Sequence, residues 1–155
     1  MIEQDDLTVE NLCQRTLNRY AIAVGKRDHV AFADLFCKEG VWQRPGQKPL
    51  IGRTAIRKFM NALDPLTLVR HVNGSVRIDR TGADTATGIS YTTVYNAVDH
   101  KGGIASMRGP DYIVEYHDRF LRVQEDWLIE RRDTFIIFRA DHAADLPGIP
   151  NAARR

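Results

Sequence analysis

The chain has 155 residues, of which 43% are hydrophobic and 27% charged, a composition typical of one soluble globular domain. Its 22 basic and 20 acidic residues leave a net charge of +2, and the basic residues are scattered along the sequence. This balance argues against a nucleic-acid-binding surface and against attraction to an anionic membrane.

The N-terminal segment MIEQDDLTVEN has neither the basic start nor the apolar core of a secretory signal. No later apolar run approaches the length of a membrane span. The two cysteines, Cys13 and Cys37, lack the spacing of a metal or redox motif, which favours reduced thiols. We therefore expect a cytoplasmic protein without membrane segments.

The first part of the chain predicts three helices. Apolar side chains recur at three- and four-residue steps over residues 7–25, where Thr8 is a candidate N-cap and Gly25 a candidate terminator. A short second helix is predicted over residues 28–36 and a third over residues 52–63. Between them, EGVWQRPG predicts a brief strand that runs into a turn.

From residue 66 onward the pattern becomes that of extended chain. Four long segments rich in β-branched and aromatic residues follow, over residues 66–79, 84–98, 111–123 and 127–139. Most connections between them are short turns, which predict an antiparallel meander, and a longer glycine-bearing loop joins the second and third segments. Residues 140–155 carry Pro, Gly and small side chains and predict an irregular arm.

Helices followed by a run of strands predict an α+β fold in which three N-terminal helices pack on one face of the sheet. Strands of this length must coil, so the antiparallel sheet should curve into a cone that the helices close. The mouth of such a cone can hold a small molecule. We predict a single domain over residues 1–139, with any ligand site inside the cone.

Four segments together resemble a known superfamily. They are RYAIAVGKRDHVAFADLFCKEGVW, GRTAIRKFM, LVRHVNGSVRID and YHDRFLRVQEDWLIERR. In this order they resemble the nuclear transport factor 2-like superfamily, and within it the SnoaL-like group that includes polyketide cyclases, scytalone dehydratase and hexachlorocyclohexane dehydrochlorinase. The resemblance extends from about Thr8 to Arg139 and implies the cone-shaped fold. It implies no single reaction, because the superfamily contains several enzyme classes and non-catalytic modules.

In the dehydratase and dehydrochlorinase branch, a histidine on the first long strand takes a proton and an aspartate at the end of the first helix orients it. The resemblance places His71 at the histidine position and Gly25 at the aspartate position. Glycine cannot orient an imidazole or stabilise its charged form. Asp118 and Asp133, on long strands that can line the same cone, are candidates for the missing carboxylate. The alternative role of Asp118 is a structural ion pair with Arg119 or Arg132.

His71 itself is open to two interpretations. A neutral imidazole is suited to take a proton near physiological pH, whereas a histidine among aliphatic neighbours can be a core residue with a private hydrogen-bond partner. In an unbroken strand His71 shares a face with Asn73, Ser75 and Arg77. A bulge at Gly74 would break that register.

Six further residues are predicted to contact a ligand inside the cone. A phenol or an amide there can hold a carbonyl or developing oxyanion, and a tryptophan can form a wall, although the aromatic residues can also be core. These residues are Tyr20, Trp42, Tyr91, Tyr95, Asn96 and Tyr116. The sequence lacks dinucleotide, phosphate-loop and metal-ligand motifs, so we predict neither a cofactor nor a metal.

Two functions follow from these observations. The first is a cofactor-independent lyase, isomerase or cyclase that acts by proton transfer on a small, mostly apolar, oxygen-bearing metabolite, with His71 as the general base. The alternative is a non-catalytic ligand-binding or assembly module, such as a protein similar to the small subunit of an aromatic-ring dioxygenase. Neither function involves nucleic acid or a membrane. The resemblance implies a homodimer in both cases.

Overall fold

The computed structural model describes residues 4–143, and its element order is that of an α+β fold, as predicted. The helices are α1 (Asp6–Lys26), α2 (His29–Asp34) and α3 (Arg53–Asn61). The strands are β1 (Phe36–Gln43), β2 (Leu50–Ile51), β3 (Leu68–Arg80), β4 (Thr85–Ala97), β5 (Tyr112–Val123) and β6 (Asp126–Arg139). A short turn follows β6, and the rest of the predicted C-terminal arm, residues 144–155, lies outside the described residues. Within the described part, no helix is both long and apolar enough to cross a bilayer.

The strands form one curved, unclosed sheet in the order β2-β1-β6-β5-β4-β3. The four long strands make the predicted antiparallel meander. The short strand β1 extends this meander by pairing with β6 in parallel. Parallel neighbours need a long connection, and the chain between β1 and β6 contains α3 and the whole meander.

Helix α1 begins and ends at residues other than those predicted. Asp5 is the N-cap in place of Thr8, and its carboxylate accepts a hydrogen bond from the Thr8 backbone N–H at 2.7 Å. Gly25 lies inside the helix, which ends at Arg27 in the left-handed conformation (φ 55°). The Arg27 guanidinium donates to two carbonyl oxygens after α3, at 3.0 and 3.1 Å, and these bonds hold the chain at that turn.

The helices pack on one face of the sheet, here called the inner face, and the core lies between them. Its fully buried apolar side chains come from α1, α2, α3, β1 and the last two strands: Val9, Cys13, Phe32, Phe36, Ile56, Phe120, Trp127 and Ile129. Trp127 has 0% of its surface exposed and donates from Nε1 to Gln4 at 2.8 Å. The second helix was predicted to include Phe36, but Phe36 is the first residue of β1, because it pairs with Ile129 of β6.

A break in β3 decides which of its residues face inward. The register with β4 shifts between Asn73 and Val76, so the predicted bulge at Gly74 is present. His71 lies on the inner face before the bulge, and Val76 packs against the core after it. Arg77 is exposed and does not share the face of His71, because one extra residue reverses the alternation of the strand.

Candidate functional site

The His71 side chain points from β3 into the cone towards helix α1. Its ring centroid lies 6.1 Å from that of Tyr20, which is itself buried. The Nδ1 atom of His71 is buried and has no hydrogen-bond partner among residues 4–143. A core histidine would normally have such a partner, because a buried polar atom without one is energetically costly. The geometry therefore favours the interpretation of His71 as a residue that faces a ligand.

The surroundings of His71 keep its ring neutral. Burial, together with the positive charge of Arg132, lowers the pKa of His71 to about 4. A neutral imidazole can accept a proton at physiological pH. The same two influences disfavour the imidazolium that forms after proton transfer, so a base at this position gains from a negative charge supplied by another group.

We predict that acid destabilises the protein through His71. Its pKa falls from 6.5 to about 4 on folding, so the unfolded chain binds more protons between these values and stability falls as the pH falls through this window. The expected loss between pH 7 and pH 5 is about 2 kcal/mol. Urea unfolding at both pH values should show that His71→Gln removes this part of the pH dependence.

A buried ion pair lies beside this ring. Arg132 donates from Nε and Nη2 to the two carboxylate oxygens of Asp118, both at 2.8 Å, and the two side chains are 1% and 0% exposed. The guanidinium carbon also lies 4.2 Å from the Tyr20 ring centroid and 3.9 Å from that of Tyr116. Asp118 is thus in the structural ion pair given as its alternative role. It makes no hydrogen bond to His71 among the described residues, so the prediction that it orients the imidazole directly does not match this geometry.

The ion pair and the two phenols determine the electrostatics of the inner cone. Burial opposes the charge of Arg132, but the charge and hydrogen bonds of Asp118 outweigh it and raise the pKa of Arg132. Burial also raises the pKa values of Tyr20 and Tyr116, so both phenols stay protonated and can donate hydrogen bonds. Apart from the paired Asp118, the groups around His71 are therefore neutral or positive.

Gly25, at the position where the resemblance places an orienting aspartate, lies in the last turn of α1. Its carbonyl oxygen accepts a hydrogen bond from Arg70 Nη1 at 3.0 Å. A Cβ at Gly25 would lie 3.3 Å from the same nitrogen atom. The guanidinium of Arg70, on β3, therefore lies next to the space that a side chain at position 25 would enter.

Aromatic side chains form one wall of the cone. Trp42, on β1, has its ring centroid 5.5 Å from that of Phe32, 5.6 Å from Phe59 and 6.5 Å from Tyr20. Its Nε1 donates to Thr134 Oγ1 at 3.2 Å, which fixes the indole on the inner face. The ring centroid of Tyr116, on β5, lies 5.9 Å from that of Tyr20, on α1. The structure thus groups Trp42, Tyr116 and His71 around Tyr20, while their predicted contact with a ligand stays a prediction.

Arg44, directly after β1, is a site residue that sequence reasoning missed. Its guanidinium carbon lies 3.8 Å from the Phe59 ring centroid and 5.6 Å from that of Trp42. Its Nε atom is buried without a hydrogen-bond partner in the described part of the chain. A single arginine between a short strand and a Pro-Gly turn does not predict a site, because the sequence does not show that Phe59 of α3 packs beside it.

Tyr91 and Tyr95 are placed away from the cone, which corrects the prediction that they contact its ligand. The buried residues of β4 alternate through Ser90, Thr92 and Val94, and these define its inner face. Tyr91 and Tyr95 have the opposite parity, and Tyr91 is 48% exposed on the outer face. Both faces of β4 carry Thr, Tyr or Val, so the sequence pattern alone does not distinguish inside from outside.

Asn96 belongs to a polar cluster at the end of β4. Its Nδ2 donates to Asp111 at 2.8 Å, and the other carboxylate oxygen of Asp111 lies 3.0 Å from His142 Nε2. The cluster ties β4 to the turn after β6, and the amide N–H of Asn96 is occupied there. Among the described residues, no group of three or more His, Cys, Asp or Glu side chains is arranged to hold a metal ion.

Two open grooves lie outside the cone. One, of about 880 Å³, runs along the exposed side of α1, and the other, of about 450 Å³, lies between α2 and α3. Neither includes His71 or the ion pair, and the side chains that line them are largely exposed. We place the candidate site inside the cone because an unpartnered, buried, titratable atom lies there.

Comparisons with known proteins agree with this fold. The family model of the SnoaL-like domain matches residues 5–133. A scytalone dehydratase-like protein from Novosphingobium aromaticivorans has a TM-score of 0.77 at 17% identity, covering 90% of this chain and 91% of that one. A hexachlorocyclohexane dehydrochlorinase of type 2 has a TM-score of 0.72 at 17% identity, covering 94% and 100%. A protein from Catenulispora acidiphila, in complex with S-DNPA, has a TM-score of 0.71 at 21% identity, covering 84% and 95%. No curated protein matches the sequence significantly.

Proposed function

Because the chain belongs to the SnoaL-like domain family, we propose that it is a cofactor-independent lyase, isomerase or cyclase that acts by proton transfer inside its cone. The observation that carries this proposal is the Nδ1 atom of His71, which is buried and has no hydrogen-bond partner in residues 4–143. A neutral imidazole with an unused nitrogen atom, facing buried phenols, is equipped to take a proton from a bound molecule.

In the proposed reaction His71 removes a proton from a carbon atom next to a carbonyl group. The electron pair of the broken C–H bond moves to the carbonyl oxygen, and Tyr20 or Tyr116 donates a hydrogen bond to the enolate that forms. Return of the proton to another carbon gives isomerisation, and departure of a leaving group gives elimination. Asp118 acts through Arg132 as a positioning residue, because its two oxygens hold the guanidinium between the tyrosine rings.

Most of the predicted ligand contacts keep a place in this proposal. Trp42 forms the wall of the cone, and Tyr20 and Tyr116 are the hydrogen-bond donors. Asn96 helps to shape the cavity only through its bond to Asp111. The substrate of this arrangement is a small, mostly apolar molecule that carries a carbonyl or related oxygen.

The non-catalytic module remains the second candidate, and the outer face of the sheet is the observation that favours it. Five apolar or aromatic side chains there have exposed fractions between 47% and 64%: Val72, Tyr91, Phe135, Ile137 and Phe138. A surface of this kind suits packing against another subunit. The predicted homodimer would form through this face under either function.

Solvent deuterium exchange tests the proposed function. The protein, dialysed against a chelator, is incubated in D₂O with a panel of small carbonyl compounds that have acidic C–H bonds, and NMR follows their C–H signals. We expect at least one compound to lose these signals faster than in a blank without protein, because His71 accelerates proton removal. Compounds that bind without exchange or elimination would instead favour the non-catalytic module.

A further inference from the structure

The end of the cone where β1 finishes carries a cation that pairs with no carboxylate of residues 4–143. Arg44 is partly buried, and its guanidinium lies on the faces of Phe59 and Trp42, with centroid distances of 3.8 and 5.6 Å. Within residues 4–143 it has no ion pair, and its buried Nε has no hydrogen-bond partner. Arg132, by contrast, has two of its three guanidinium nitrogens, Nε and Nη2, bound to Asp118.

The surroundings of Arg44 make its charge available to a ligand. Its placement on the Phe59 and Trp42 rings leaves it partly out of water, and this burial lowers the pKa of Arg44. A guanidinium that rests on two rings is held in a fixed orientation. Its planar set of donors matches the two oxygens of a carboxylate.

A series of aromatic side chains lies between this cation and the candidate base. Ring centroids are 5.6 Å apart from Phe59 to Trp42, 6.5 Å from Trp42 to Tyr20, and 6.1 Å from Tyr20 to His71. The first two ring pairs cross at 83° and 87°, and Tyr20 is buried, so these side chains form an apolar wall and not one flat surface. Such a wall suits the apolar body of a ligand whose charged end is held by Arg44.

We propose that the cone binds a mostly apolar carboxylate whose carboxyl group is held by Arg44 and whose body packs against Phe59 and Trp42 on the side towards His71. This inference rests on the proposed function for the role of His71, and it makes Arg44 the residue that determines substrate specificity. Binding of the carboxylate itself requires no turnover.

The charge of such a ligand also does what the family aspartate does elsewhere. Gly25 supplies no carboxylate, and both oxygens of Asp118 are bound to Arg132. A negative ligand inside the cone would stabilise the imidazolium form of His71 by Coulomb attraction. Anionic substrates would therefore both bind better and make the base stronger, whereas neutral analogues would do neither.

Calorimetric titration with 2-naphthoate and its neutral analogue 2-naphthamide tests this inference. We expect the wild-type protein to bind the carboxylate at least about 10-fold more tightly than the amide, as a charged hydrogen-bonded pair predicts. Arg44→Gln should remove this preference, because the carboxylate loses its charged partner while both probes keep the same apolar contacts. Arg19→Gln, which removes an equal charge from the exposed side of α1, should behave like the wild type.

A second variant and a second measurement complete the test. Arg44→Lys keeps the charge without the planar fork and should retain part of the preference, while circular dichroism verifies that each variant is folded. NMR titration of the His71 ring should show a higher pKa with naphthoate than with naphthamide. Equal binding of the two probes to the wild type, no binding of naphthoate, or an equal loss in Arg19→Gln would overturn the inference. Absence of deuterium exchange with the carboxylate preference intact would count against the proposed function alone.

Discussion

Replacing Asp118 with alanine is expected to destabilise the folded protein by about 3–5 kcal/mol, because the buried guanidinium of Arg132 loses its counter-ion. The side chain of Arg132 is 1% exposed, so water cannot replace the two hydrogen bonds that it loses. Domains of this size are stable by about 5–15 kcal/mol, so the variant would lose a large part of its stability. Urea unfolding at pH 7 measures the difference.

The neighbouring strand position provides a matched control for Asp118→Ala. Asp133 accepts two hydrogen bonds from Arg131, at 2.9 and 2.8 Å, in nearly the same geometry. These side chains are 35% and 29% exposed, so Asp133→Ala should change the stability by at most about 1 kcal/mol. Similar losses for the two variants would contradict the importance of burial. Replacing Asp118 and Arg132 together by leucine and methionine should restore much of the loss, because no unpaired charge then remains.

The ion pair links stability to the site chemistry. The Arg132 guanidinium lies against the rings of Tyr20 and Tyr116, and the Tyr20 ring in turn lies 6.1 Å from that of His71. Its positive charge also contributes to the low pKa of His71. Gly25 supplies no carboxylate and both oxygens of Asp118 are bound to Arg132, so in the proposed mechanism an anionic ligand supplies the negative charge that stabilises the imidazolium.

Local sequence patterns predicted the elements of the fold well. The long β-branched segments became β3 to β6 with boundaries close to those predicted, and Gly74 marked the bulge that turns His71 and Arg77 to different faces. Helix α1 extended beyond both predicted ends because capping depends on which polar side chain reaches a free N–H or carbonyl group, and several candidates lay close together.

The site residues were harder to predict, because their positions depend on the register between strands and on contacts between segments far apart in the sequence. The placement of Tyr91 on the outer face follows from the parity of β4, and both faces of that strand carry similar residues. The pairing of Asp118 with Arg132 follows from the register between β5 and β6. Arg44 acquires its role only because α3 brings Phe59 against β1, a contact between segments that no local pattern specifies.

The proposed mechanism makes its largest quantitative prediction for His71→Gln. This variant should lower kcat/KM for the substrate found by deuterium exchange by about 10²–10⁴-fold, because the general base is lost. Folding stability at pH 7 should change by only about 1 kcal/mol, since the Nδ1 of His71 makes no hydrogen bond within residues 4–143. Tyr95→Phe, on the outer face, serves as the control and should keep wild-type activity. A His71→Gln enzyme with wild-type turnover would exclude His71 as the base.

The pH dependence of the wild-type rates distinguishes a base from a merely structural histidine. The profile of kcat/KM reports the free enzyme, and it should stay flat from pH 7 down to the low pKa of His71, as far as the protein remains folded. The profile of kcat reports the complex, in which an anionic substrate shields the imidazolium, so its acid limb should lie at a higher pH. The separation between the two acid limbs, in pH units, measures how strongly the charge of the ligand stabilises the imidazolium. This separation should be smaller in Arg44→Gln, because the carboxylate is then no longer held in position.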